Sequence, residues 1–171
     1  MTIQFKRCVS EDELAEVSLF LLDRRHDLHP SIATLDMVTL LYQYITQGHL
    51  HCGMDRDGRI VGAFAYYVGA PEEEFADRTF VLIDIVISDR AYRGTRFFLN
   101  CLDYMEVIVR KDHPEVDKAR FAALADNSYL CKLYAKFAAP CCRREGVSGP
   151  EMVFSERIDK ICSTLRKYKH V

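Results

Sequence analysis

No apolar run in this 171-residue chain reaches the ~20 residues that a membrane-spanning helix needs. The stretch MTIQFKRCVSEDE has no apolar segment long enough for a secretory signal. These two absences lead to the expectation of a cytoplasmic protein with no membrane partner. There is no basic excess either. The net charge is −2, which argues against nucleic acid, because chains that bind phosphate backbones normally carry a positive surplus. No internal repeat, low-complexity tract or linker-like run interrupts the sequence. One domain covering residues 1–171 is therefore expected, a length that suits one core. The seven cysteines are odd in number and scattered, so no disulfide framework is expected and a reducing compartment follows. The adjacent pair Cys141-Cys142 reads as a chance neighbourhood. His49-x-His51-Cys52 could start a metal site, but no complementary ligand pair accompanies it, and no metal is expected.

What is present is a globular composition, 49% hydrophobic and 28% charged. The alternation at Ile3–Cys8 predicts a first strand. Ser10 with Glu13 has the spacing of a capping box, with Val9 and Leu14 placed to staple it, and predicts a helix over Glu11–Arg25. Arg24-Arg25-His26 falls on the polar face of that helix. A second helix is predicted over Leu35–Thr46. His49–Met54 and Arg59–Val68 read as strands joined by a hairpin turn at Asp55–Gly58. Glu72-Glu73-Glu74 reads as a solvated loop, or as an attractor of a cationic acceptor.

The centre of the chain is Phe80–Arg110. Phe80–Ile87 is a β-branched run broken by Asp84, as expected of a strand buried on both faces. A polar turn, 88–96, feeds a helix from Phe97 with apolar residues at Phe98, Leu102, Met105 and Val109. Unpaired N–H groups at the start of such a helix favour phosphate. Ala119–Ala125 predicts a strand and Ser128–Phe137 a helix ended by Pro140. Cys141–Arg144 and Met152–Arg157 are closing strands, and Asp159–Lys167 a last helix. The hairpin requires antiparallel pairing, and Phe80 to Ala125 fits a parallel crossover. The fold class is thus α/β (α+β), with a mixed, mostly antiparallel sheet flanked by helices.

Two groups of residues resemble the GCN5-related N-acetyltransferase (GNAT) superfamily. Tyr92-Arg93-Gly94-Thr95 matches the opening of its Arg-Gly-x-Gly-x-Gly/Ala turn, and Asp84 with Ser88 fits the preceding strand approximately. Asn127, Leu130, Leu133-Tyr134 and Lys136 match a second motif at the family's spacing. The resemblance implies a coenzyme-A-dependent N-acyltransferase, with acetyl-CoA or another acyl-CoA as co-substrate. The acceptor is a small-molecule or peptide amine, and a homodimer is left open. It implies that Ile87, Ser88, Arg93, Gly94, Thr95, Arg96, Phe97, Phe98 and Asn127 hold the cofactor. The later glycine positions of the turn are Arg96 and Phe98 here. A guanidinium can still clamp phosphate, yet both side chains can also close the turn. The alternative is therefore a GNAT-fold binding or regulatory module that has lost catalysis.

Acyl transfer needs a base for the amine, donors for the oxyanion and an acid for the thiolate. Tyr134 is the candidate acid, by carry-over; the same pattern suits a core tyrosine. Asp84 is the candidate base, since an acid in an apolar strand has its pKa raised. It can equally be a buried acid paired with an arginine such as Arg93. Asn127 can be a helix cap and nothing more.

Overall fold

In the computed structural model, residues 2–93 and 96–169 are described, Lys169 by its backbone only. Gly94 and Thr95, assigned above to the phosphate turn, lie outside the described residues. The elements are β1 (Gln4–Arg7), α1 (Glu11–Asp23), α2 (Arg25–Leu28), α3 (Thr34–Gln47), β2 (His49–Met54), β3 (Ile60–Val68) and β4 (Phe80–Ser88). They continue as α4 (Phe97–Asp112), β5 (Lys118–Leu124), α5 (Ser128–Tyr134), β6 (Ala139–Gly146), β7 (Gly149–Arg157) and α6 (Ile158–Lys169). The strand order is β1-β2-β3-β4-β5-β7-β6. Among the described residues, only β4 and β5 pair in parallel. The main-chain bonds Asp89 N–H to Val61 C=O and Gly69 N–H to Phe80 C=O make β3 and β4 antiparallel. This is the mixed, mostly antiparallel α/β fold expected from the sequence.

The chain forms two compact units, each from two segments: 1–66 with 85–101, and 67–84 with 102–171. In the first, α1 begins at a full capping box. Glu13 N–H donates to Ser10 Oγ at 3.2 Å, and the Glu13 carboxylate accepts from the Ser10 and Val9 amides at 3.1 and 2.9 Å. The Val9 amide, Lys6 and the Ser10 amide hold the Glu13 carboxyl down at about 2. The Val9 side chain is itself 67% exposed, so its contribution is the amide rather than an apolar staple. The hairpin turns at Gly58, whose φ of +78° suits glycine. α1 and α3 bury Val17, Phe20, Leu21, Met37, Leu41 and Tyr44. His51 is part of this core. It is 1% exposed and lies flat on Phe64, centroids 4.7 Å apart, and burial pushes its pKa down to about 3. Burial of this kind favours the neutral ring, which suits a histidine packed on aromatics.

In the second unit, Phe121, Tyr134 and Phe154 cluster over β5 and β7. α6 buries Ile158, Ile161 and Leu165. Three details differ from the sequence expectation. α1 stops at Asp23 and a separate turn, α2, carries Arg25 and His26. α5 ends at Tyr134, before Pro140 is reached. Pro140 instead lies in β6, at the end of the strand order, where a missing N–H is tolerated.

Candidate active site

Asp84 is carried by β4 and its side chain is only 6% exposed. Its Oδ2 accepts from Arg144 Nη2 at 2.9 Å. Arg144 comes from β6, where the β6–β7 ladder pairs it with Glu151. That register lets Arg144 Nε donate to Glu151 Oε2 at 2.6 Å. Arg144 Nη1 turns to the Glu72 carboxylate, 3.3 Å from Oε2. One guanidinium therefore faces three carboxylates. Burial works against its charge, but Glu151 and Asp84 more than offset that and keep it protonated. Arg144 is the partner of Asp84 that the sequence does not reveal; Arg93, the partner considered above, bonds to Asp27 instead at 3.1 Å.

Burial pushes the Asp84 carboxyl up to about 7, against the pull of Arg144 and with a push from Glu151. A carboxyl at about 7 can both hold and release a proton at neutral pH, which is the property a general base needs. Its Oδ1 is buried and has no hydrogen-bond partner among the described residues. A buried acceptor left open in this way is costly, and a donor from a bound molecule would satisfy it.

Glu72 reaches Arg144 from an unusual loop. Pro71–Glu73 form a short 3-10 turn, and Glu74 and Phe75 follow with φ of +52° and +58°. Positive φ is costly for a bulky residue such as phenylalanine. The Phe75 ring packs on Tyr67, centroids 5.8 Å apart, and its amide donates to Ala70 C=O at 3.0 Å. Glu72 is thus half engaged in an ion pair, while Glu73 and Glu74 are exposed as expected of a solvated loop.

Tyr134 is 1% exposed, tilted against Phe121 at 5.2 Å and edge-on to Phe154 at 6.2 Å. It ends α5, and Asn127 begins α5 by accepting the Leu130 amide at 3.1 Å. Asn127 is therefore a helix cap in fact, whatever else it does. The spacing Asn127–Tyr134 is the length of this seven-residue helix.

The other sequence-assigned residues belong to the first unit. Ile87 is buried and Ser88 half-buried on β4. Arg93 is drawn to Asp27, which Arg90 also contacts at 3.0 Å. Arg96 is exposed, and its carbonyl accepts the Asn100 amide at 2.9 Å, so it opens α4. Phe97 is 3% exposed and its ring covers the bare backbone of Gly62; a Cβ there would fall inside the ring. Phe97 is hence a packing residue that fixes the start of α4. Phe98 is half-buried.

The β4–β5 ladder runs from Phe80↔Lys118 to Ile83↔Phe121. β4 itself continues to Ser88 and β5 to Leu124.

No protein-family model matches the sequence, and no curated protein matches it significantly. Solved structures do match in shape. An aminoglycoside acetyltransferase, AAC(6')-Ib, in complex with coenzyme A and kanamycin superposes with a TM-score of 0.67 at 18% identity, over 95% of this chain and 99% of that one. The ribosomal-protein-S5-alanine acetyltransferase of Vibrio fischeri gives 0.64 at 12% identity, over 93% and 94%. The PaiA N-acetyltransferase of Thermoplasma acidophilum, in complex with coenzyme A, gives 0.65 at 11%, over 92% and 99%. Other solved structures that superpose over 91–92% of this chain are named as GNAT-family acetyltransferases, so the chain has the GCN5-related N-acetyltransferase fold along nearly its whole length.

Proposed function

We propose that this chain is a coenzyme-A-dependent N-acyltransferase, moving an acetyl group from acetyl-CoA, or another acyl group from its thioester, to a small-molecule or peptide amine. Residues 1–171 act together as one acyltransferase domain in the cytoplasm. The observation that carries this is Asp84, a carboxyl buried in β4 of a GNAT fold and raised to about 7. It takes the proton from the attacking ammonium. Amide groups of β4 beyond Ile83 hold the amide-bearing arm of the thioester and the oxyanion. The Tyr134 phenol returns a proton to the departing thiolate. The N–H groups opening α4, together with the Arg96 guanidinium, take the phosphates. The acidic surplus around Arg144 suits a cationic acceptor.

The second reading, a binding or regulatory module without catalysis, is favoured by Arg96 and Phe98 at positions where the family turn has glycine. Two measurements separate them. Acetyl-CoA at 100 times its Kd should raise the unfolding free energy of the full chain by about 2.7 kcal/mol. Thiol release from acetyl-CoA, followed with a panel of amines, should show turnover with a base of apparent pKa about 7. Stabilisation with turnover supports the enzyme; no stabilisation at millimolar acetyl-CoA, or stabilisation without turnover on any amine, sinks the enzyme and favours the module.

A further inference from the structure

In a regular strand, successive side chains point to opposite faces, so adjacent cysteines hold their sulfurs apart. β6 breaks that rule at one place. Its ladder with β7 pairs Pro140 with Phe154 and Cys142 with Val153, so Cys141 is the extra residue of a bulge. The bulge turns both thiols toward each other, with Sγ atoms 3.3 Å apart, on residues that are both exposed. Among the described residues, the other cysteines differ: Cys8, Cys52, Cys101 and Cys162 are buried, and Cys131 is partly covered with its Sγ donating to Leu124 C=O at 3.7 Å.

We propose that Cys141 and Cys142 form a vicinal dithiol site that a hydroperoxide closes to an intramolecular disulfide. This stands apart from the acyltransferase reading and does not depend on it. Partial burial and the bond to Cys142 push the Cys141 thiol up to about 11. One of the two sulfurs, as its thiolate, attacks the terminal peroxide oxygen, the O–O bond breaks, and an alcohol, or water from hydrogen peroxide, leaves. The other sulfur then attacks the resulting sulfenic acid, the S–S bond forms, and water departs with the proton of that second thiol. Two thiols have lost two electrons and two protons, and one peroxide has taken them up. Adjacent Cα atoms lie about 3.8 Å apart, below the usual disulfide span of about 4.4–6.8 Å, so the closed form is strained and readily reduced. Exposed, strained disulfides are the labile ones, which suits a reversible modification.

The test treats the full native chain with one equivalent of hydrogen peroxide and maps unreduced peptides by mass. The expected product is a loss of about 2 Da on the peptide holding both cysteines, reversed by dithiothreitol. It should vanish in Cys141→Ser and in Cys142→Ser, each of which then accumulates sulfenic or sulfinic acid on the remaining sulfur. Sulfinic acid on the wild-type pair without the 2 Da loss overturns the proposal. So does persistence of the loss in either single variant. Equal closure rates in native and urea-unfolded chain overturn it too, because sequence adjacency and not the bulge would then be the cause.

Discussion

Replacing Asp84 by asparagine removes one ionisation and little else, and its effect on stability follows from the burial of that carboxyl. In the unfolded chain an aspartate releases its proton near 3.8; in the folded chain Asp84 holds it to about 7. Between these values the folded state binds a proton that the unfolded state has lost. Stability must therefore fall as pH rises through that window. The cost is absent below about pH 4 and complete above about pH 7. At ~1.4 kcal/mol per pH unit, it amounts to something on the order of 4 kcal/mol. Asparagine mimics the protonated acid, and Arg144 retains Glu151 and Glu72. Urea unfolding of both chains between pH 4 and pH 8 isolates the effect, because all other groups titrate alike in the two. The variant should gain on the wild type steadily up to about pH 7 and then hold its lead. A stability difference that stays constant across this range would show that Asp84 is ionised throughout, and the base assigned to it would have to be abandoned.

Two further substitutions examine other parts of the site. Tyr134→Phe keeps the packing against Phe121 and Phe154, so unfolding free energy should change by only about 0.5–1.5 kcal/mol, the worth of one hydroxyl hydrogen bond. Loss of the acid should meanwhile lower kcat by roughly 10²–10⁴-fold; unchanged turnover would return Tyr134 to the core. Gly62→Ala forces the Phe97 ring off β3 and should cost about 1–3 kcal/mol in urea unfolding. A neutral result would mean that the start of α4 is not anchored there.

Local signals made much of the fold legible. Ser10 and Glu13 announced the start of α1 because a capping box is written within four residues. Gly58 marked the hairpin because its backbone angle excludes most other residues. Asn127 was visible as a cap for the same local reason. Arg144 was not legible. It lies 60 residues from Asp84, and their meeting depends on the β5–β7–β6 pairings, none of which is encoded near either residue. β6 also lacks the alternation that reveals a half-buried strand, since Ala139 to Arg143 are all exposed. The bulge at Cys141 is similarly a property of register, invisible in a pair of adjacent letters.

The Arg144 guanidinium ties together four separate stretches of chain: the loop of Glu72, β4, β6 and β7. Such a knot closes only after every stretch has arrived, so its bonds are expected to form late in folding, a prediction that the folding and unfolding rates of Arg144→Met would check. Contacts of that kind govern how slowly a protein comes apart rather than how fast it assembles. Arg144 is in this sense the chain's clasp, and its loss would shorten the lifetime of the native molecule while leaving its rate of formation almost untouched.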